Sequence, residues 1–253
     1  MIDVHCHILP GIDDGSPNMD ASIEMARLLA EHGYEGVIAT PHVMADEVHN
    51  ITKDFIAKQV EDFREALDKA SVKLDVYVGA EYYLDRSVAD LTREFFPLTT
   101  MADTYYILVE MPVTTLPSYL DYSVLAGPTD SQEFEKLLPY LRPVIAHPER
   151  NEKIAKNTDN LLSLRNRGYF LQSNLEPIIG GLGRGPKKLM KKMAARGLID
   201  LIGTDGHSPE KLAKILPDFR KKVEKIMGDK RARQVLEENS DRLVKNKLIE
   251  WDD

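Results

Sequence analysis

His5 and His7 stand one residue apart in "IDVHCHILPGIDDG", residues 2–15. Alternate side chains of a strand share a face, so both imidazoles point one way and Cys6 points the other. Two imidazoles on one face make either a costly buried polar cluster or half of a metal site. The same residue types recur at the ends of later apolar runs. His42 closes "IATPH", Glu81 closes "VGAE", Glu110 closes "ILVE" and His147 closes "VIAH". Asp205 and His207 lie in "GTDGH", while Asp14 follows the first run in a glycine-flanked turn. Five of the seven histidines fall at such ends; His32 and His49 are assigned to a helix and a loop. This mixture of nitrogen and oxygen donors suits Zn, Mn or Fe(II), with carboxylates able to bridge two ions.

Positioning these groups requires strands that end on one side of the molecule. The sequence predicts strands at Ile2–His5, 36–40, 74–80, 105–111, 143–147, 169–173 and 198–204. Helices are predicted at Met19–Glu31, with Gly33 as its stop, and at Asp54–Lys69, with a short helical piece after residue 80. C-terminal helices are expected over 217–227 and 230–238, with a last turn near 240–247. About seven strands alternating with helices imply parallel βαβ units, and 253 residues suit an α/β barrel formed as one domain over residues 1–253. The C-terminal strand ends of such a barrel form its active face, so the His, Asp and Glu side chains should converge there. The stretch Thr114–Ser131, with Pro117, Gly127 and Pro128, reads as an insertion or lid, and 178–188 as a second mobile loop.

Composition narrows the possible functions. A net charge of −8 argues against general nucleic-acid binding. One cysteine allows no intramolecular disulfide and fits a reducing compartment. No apolar run approaches the roughly 18 residues of a membrane span. Histidines and an aspartate stand where a signal peptide needs an uninterrupted apolar core. The expectation is a cytoplasmic protein with no membrane insertion.

"MIDVHCHILPGIDDG", "IATPH", "GAEYYL", "VIAHPERN", "LGRGPKKLMKKM", "GTDGH" and "VLEENSDRLV", in that order and spacing, resemble the PHP (polymerase and histidinol phosphatase) superfamily. The closest likeness is to its bacterial tyrosine-protein phosphatase branch of capsule and exopolysaccharide synthesis, and it covers nearly the whole chain. The resemblance implies a distorted (β/α)7 TIM-like barrel with three divalent metal ions, manganese first, with Fe, Zn or Mg as alternatives. Carried over by position, His5, His7, Glu81 and Asp205 would hold one ion. Glu81, Glu110 and His147 would hold a second, with Glu81 bridging, and Asp14, His42 and His207 a third. The implied substrate is a phosphotyrosine protein, the tail of a membrane-associated tyrosine autokinase, attacked by metal-activated water. Histidinol phosphate or another small phosphomonoester is the alternative substrate. A catalytically silent, metal-binding regulatory partner is the reading from another class.

Arg150, three residues past His147, offers a guanidinium fork that matches phosphate oxygens; a rim salt bridge is its other reading. Members of the branch often carry an arginine shortly after the D-x-H, and "DGHSPEKLAK" has none. Lys211 and Lys214 are the substitutes at hand, although a solvated helix face accounts for both. Lys187, Lys188, Lys191 and Lys192 lie on neighbouring positions of one helix face: a solvated surface, or local attraction for an anionic substrate. Pro186 after Gly185 removes the G-K-[ST] ending of a P-loop. Cys6 lacks the arginine six residues on that cysteine phosphatases use, position 12 being isoleucine, so it is assigned to packing.

Overall fold

The computed structural model describes residues 1–44, 51–84, 97–116 and 140–251. His49, most of the 114–131 stretch and residues 85–96 of the expected helical piece lie outside the described residues.

Nine strands, all paired in parallel, make up the described sheets. They are β1 (Ile2–Cys6), β2 (Gly36–Ala39), β3 (His42–Val43), β4 (Asp75–Val78), β5 (Glu81–Tyr83), β6 (Tyr106–Glu110), β7 (Arg142–Ala146), β8 (Phe170–Asn174) and β9 (Leu201–Gly203). One sheet runs β1-β2-β4 and the other β3-β5-β6-β7-β8-β9. Thr40–Pro41 separates β2 from β3, and Gly79–Ala80 separates β4 from β5. Proline brings no N–H to a ladder, which accounts for the first break; Glu81 N–H donates to Pro41 O across the step, 2.9 Å. Each interrupted pair fills one strand position, so nine segments occupy seven positions. The ring closes where Cys6 bridges Gly206, with Asp205 N–H on His5 O at 2.8 Å and His7 N–H on Gly206 O at 2.9 Å. The result is a distorted seven-position parallel barrel. Glu81–Tyr83 is therefore strand, where the sequence suggested the start of a helical piece.

Helices cover the outside for local reasons. In α1 (Met19–Glu31), Asn18 caps Ala21 N–H at 3.0 Å, and Ser22, Met25, Ala26 and Leu29 form the buried stripe. In α2 (Lys53–Lys69), Thr52 caps Phe55 N–H, and Ile56, Val60, Phe63 and Leu67 face inward. The short helices α3 (Glu152–Lys156), α4 (Asp159–Asn166) and α5 (Leu175–Ile179) lead to α6 (Arg184–Ala195). Residues 178–188 are thus largely helical, leaving only Gly180–Gly183 as a turn where a mobile loop was expected. Ser208 caps α7 (Pro209–Ile215), and α8 (Phe219–Met227) follows. The chain then continues through α9 (Asp229–Arg233), a π-helical turn at Gln234–Glu238 and α10 (Asn239–Val244).

Strand parity sorts the core. Tyr106, Leu108, Val144, Ala146, Phe170 and Leu201 belong to one buried cluster. Their neighbours Ile107, Val109, Ile145, Leu171 and Ile202 belong to another, which includes the helix stripes. Glu110 continues the parity of Leu108, Gln172 that of Phe170, and Asp205 that of Leu201. The same alternation that packs the core therefore delivers polar groups to one mouth of the barrel.

Candidate metal centre

All nine side chains singled out from the sequence meet at that mouth. His5 Nε2 lies 3.2 Å from His7 Nε2, 3.1 Å from Glu81 Oε2 and 3.7 Å from Asp205 Oδ1. His7 Nε2 is 3.4 Å from both Glu81 Oε2 and Asp205 Oδ1. His147 Nε2 approaches Glu81 Oε1 at 3.0 Å and Glu110 Oε1 at 3.8 Å. Asp14 Oδ1 stands 3.6 Å from His42 Nε2 and 3.5 Å from His207 Nε2. Three sets have donor atoms mutually within 4.8 Å: His5, His7 and Glu81; His42, Glu81 and Glu110; and His7, Asp14, His42 and His207. Glu81, fully buried, sits at the junction of the first two.

The outer nitrogens show what the inner ones are for. His5 Nδ1 bonds Gln172 Oε1 at 2.9 Å, and His7 Nδ1 bonds Asp13 Oδ2 at 2.7 Å. His207 Nδ1 bonds the Asp205 carbonyl at 2.8 Å. Each partner is an acceptor, so each Nδ1 carries the proton and each Nε2 in the neutral ring presents a lone pair. Two lone pairs facing each other at 3.2 Å repel unless a proton or a cation lies between them. This second layer of acceptors is the usual arrangement behind metal-ligating imidazoles. The donor set therefore fits divalent ions.

The electrostatics agree. Burial opposes charge on His5, yet Glu81 and then Asp205 outweigh it and raise its pKa. Burial likewise opposes charge on His7, but Asp13, Asp205 and Glu81 lift its pKa well above the ordinary value. Burial works against ionised Glu81 and Asp205 too, and the surrounding imidazoles still hold both well below the usual carboxylate range. Burial, aided by the Glu81 charge, pushes Glu110 up. The mouth is thus a buried set of carboxylates that demands positive charge.

Backbone geometry aims two of these groups. His147 has the opposite strand parity to Val144 and Ala146, and its left-handed backbone (φ 29°, ψ 56°) breaks the alternation and turns the ring to Glu81. Asp205 is also left-handed, at φ 50°. Non-glycine residues so placed cost about 1–3 kcal/mol each and cluster at functional sites. The Asp13–Asp14 turn folds tightly back on β1. A Cβ on Gly15 would lie 2.3 Å from His7 O, so only glycine lets the turn approach.

Residues with no early signal complete the site. Asp13 orients His7 and also accepts His42 N–H at 2.9 Å. Gln172 and Asn174, two apart on β8, hold His5 and Asp205; Asn174 Nδ2 donates to Asp205 Oδ2 at 2.7 Å. Polar residues at alternate positions of a buried strand were the available clue. Arg150 donates to Asp205 Oδ2 at 2.7 Å from a side chain 38% exposed, so the rim ion pair is formed. Lys211 is not on a solvated face as expected. Its Nζ turns back to donate to the Asp205 carbonyl at 2.6 Å and lies 3.8 Å from Oδ2. Lys214 is exposed. The two cations Arg150 and Lys211 thus flank Asp205.

Cys6 points away from the histidines. It is fully buried, with Sγ donating to Gly206 O at 3.5 Å, and burial followed by the Asp3 charge pushes its pKa well up. A thiol held protonated is a poor nucleophile. Cys6→Ser is expected to keep most hydrolytic activity with a small loss of thermal stability. A folded, metal-loaded but inactive Cys6→Ser protein would contradict this assignment.

Fold and cluster together define a class: α/β barrels whose strand ends gather histidine and carboxylate donors of the kind that ligate divalent ions. Residues 1–245 match the family of capsular polysaccharide synthesis, CpsB/CapC, and the chain belongs to that family. It is 30% identical to the tyrosine-protein phosphatase YwqE of Bacillus subtilis over 250 residues, 98% of this chain and 93% of that protein. It is 26% identical to the tyrosine-protein phosphatase CpsB of Streptococcus pneumoniae, over 98% of this chain and all of that one. A solved structure from work on these two proteins, described as unique metal-dependent tyrosine phosphatases, superposes with a TM-score of 0.85. It shares 29% identity, covering 100% of this chain and 97% of the other. The lactonase Lmo2620 of Listeria monocytogenes shares the fold alone, at TM-score 0.56 and 12% identity, over 100% of this chain and 95% of that one.

Proposed function

We propose that the chain is a metal-dependent protein-tyrosine phosphatase of capsule or exopolysaccharide synthesis. The observation that carries this reading is the buried pair of imidazole Nε2 atoms, 3.2 Å apart, beside Glu81 and Asp205. His5, His7, Glu81 and Asp205 would hold one ion, and Glu81, Glu110 and His147 a second. Asp14, His42 and His207 would hold a third, with manganese the favoured metal. Ions bound there would supply a water acidic enough to attack phosphorus near neutral pH.

The remaining work falls to side chains. Arg150 uses one guanidinium N–H on Asp205; among the described residues its fork makes no other side-chain hydrogen bond or ion pair, leaving donors for phosphate oxygens. Lys211, on the other side of Asp205, adds a second positive charge in place of the arginine that follows the D-x-H in similar chains. A cavity of about 510 Å³ opens beside the centre, and its lining mixes the polar Asp13, Asp14, His42 and Glu110 with Ile12, Met44 and Tyr83. The apolar side chains among them are suited to an aromatic ring whose phosphate reaches the donors. A phenol leaves with pKa about 10, so its departure needs little protonation.

The substrate we assign is the phosphotyrosine tail of a membrane-associated tyrosine autokinase. The enzyme would meet it where that kinase sits, at the membrane surface; among the described residues no helix is long and apolar enough to cross a membrane. Phosphate release from two peptides of one sequence, phosphorylated on tyrosine or on serine, tests the assignment. The tyrosine ester should be hydrolysed at least tenfold faster; equal rates would remove the aryl specificity.

A further inference from the structure

A second recess lies at the Pro148–Arg150 turn that follows His147. Its volume is about 610 Å³, and Glu149, Ala155, Pro186, Lys188, Leu189 and Lys192 line it. Glu149 belongs to that turn and is the chain neighbour of Arg150, the phosphate ligand proposed above. Two features mark what it can hold. Lys188 and Lys192 are exposed on one face of α6, four residues apart, and take part in no ion pair among the described residues. Glu149 is buried; its Oε1 accepts Asn174 N–H at 2.7 Å, while Oε2 has no hydrogen-bond partner among the described residues.

A buried acceptor without a donor is expensive, and a ligand's N–H would satisfy it. A fully deprotonated anion such as sulfate brings no donor to Glu149, and a free phosphate ion is too small to span Glu149 and both lysines. An extended polypeptide brings both backbone N–H groups for Glu149 and carboxylates for the two lysines. We propose that this recess docks the acidic residues flanking the target phosphotyrosine, making Lys188 and Lys192 specificity-determining for protein over small-molecule substrates. The proposal rests on the tyrosine-phosphatase reading above and narrows its substrate to phosphotyrosine within an acidic segment. It also gives the basic face of α6 a role despite the chain's overall negative charge.

The test is the double charge reversal K188E/K192E in the full chain. A second protein, K221E/K225E on exposed positions of α8, carries the same change in net charge away from the recess. With an acidic-flanked phosphotyrosine peptide, K188E/K192E should raise KM about tenfold or more and leave kcat unchanged. The K221E/K225E protein and the hydrolysis of p-nitrophenyl phosphate should both match wild type. Equal KM for the peptide in wild type and K188E/K192E, or a parallel loss on p-nitrophenyl phosphate, would overturn the proposal. Fluorescence anisotropy of the same acidic peptide without phosphate separates docking from catalysis. Wild type should bind it at least tenfold more tightly than K188E/K192E, with affinity falling as salt rises. No binding by wild type, or equal binding by both, counts against the dock even in an active enzyme. Differential binding without phosphotyrosine hydrolysis would sink the phosphatase reading and leave the dock standing.

Discussion

His7→Ala should lower kcat for phosphate release by about 10³-fold or more, the scale seen when one member of a cooperating catalytic unit is lost. His7 is common to two of the three donor sets, so its loss should also lower bound metal on elemental analysis. The barrel should remain folded by circular dichroism, because strand β1 and its Asp205 and Gly206 backbone bonds do not need the imidazole. Asp205→Asn tests the same unit from the other side, keeping the shape of the side chain and removing its charge. Full activity in a His7→Ala protein free of metal would refute the metal centre outright.

Arg150→Ala should lower kcat/KM about 10²-fold, equivalent to about 3 kcal/mol of lost charge-assisted contact. Metal content should not change, because a guanidinium does not ligate the ions and Asp205 keeps its bonds from Asn174 and Lys211. Arg150→Lys restores the charge without the fork, so it should recover part of the loss. A measured fall in bound metal that tracks the fall in activity would instead make Arg150 a support for Asp205 and not a phosphate ligand.

Much of this site was legible because barrel strands end where chemistry begins. Alternation placed His5 and His7 on one shared face and Glu110 in line with Leu108, and the aligned apolar runs placed seven strand positions correctly; the irregular register of β1 between Asp3 and Cys6 and the left-handed backbone of Asp205 were not legible. What the sequence concealed depends on contacts between distant residues. Asp13 orients His7 only because the turn folds back past Gly15, and Gln172 and Asn174 gain meaning only when β8 closes against the first strand's histidines. His147 has the wrong parity for the mouth and reaches it through a left-handed backbone that no local pattern announces. Lys211 looked like a solvated helix residue because its partner is a carbonyl beyond the helix start. The Gly-rich segment at 178–188 suggested a loop, yet Leu189, Met190 and Met193 anchor a helix that begins at Arg184. Pro41 and Gly79 each split a strand position in two, so a count of apolar runs recovered the positions and missed the breaks.

The most direct test of the account follows phosphate release from a phosphotyrosine peptide and from histidinol phosphate in parallel. Each substrate is given to chelator-treated protein and to the same protein resupplied with Mn²⁺. The account predicts no release from either substrate by the stripped protein. On reconstitution, kcat/KM should be clearly higher for the phosphotyrosine peptide, whose phenolate leaves more readily and whose ring has the side chains of Ile12, Met44 and Tyr83 to meet. Undiminished hydrolysis after metal removal would contradict the mechanism, and preference for histidinol phosphate would contradict the substrate.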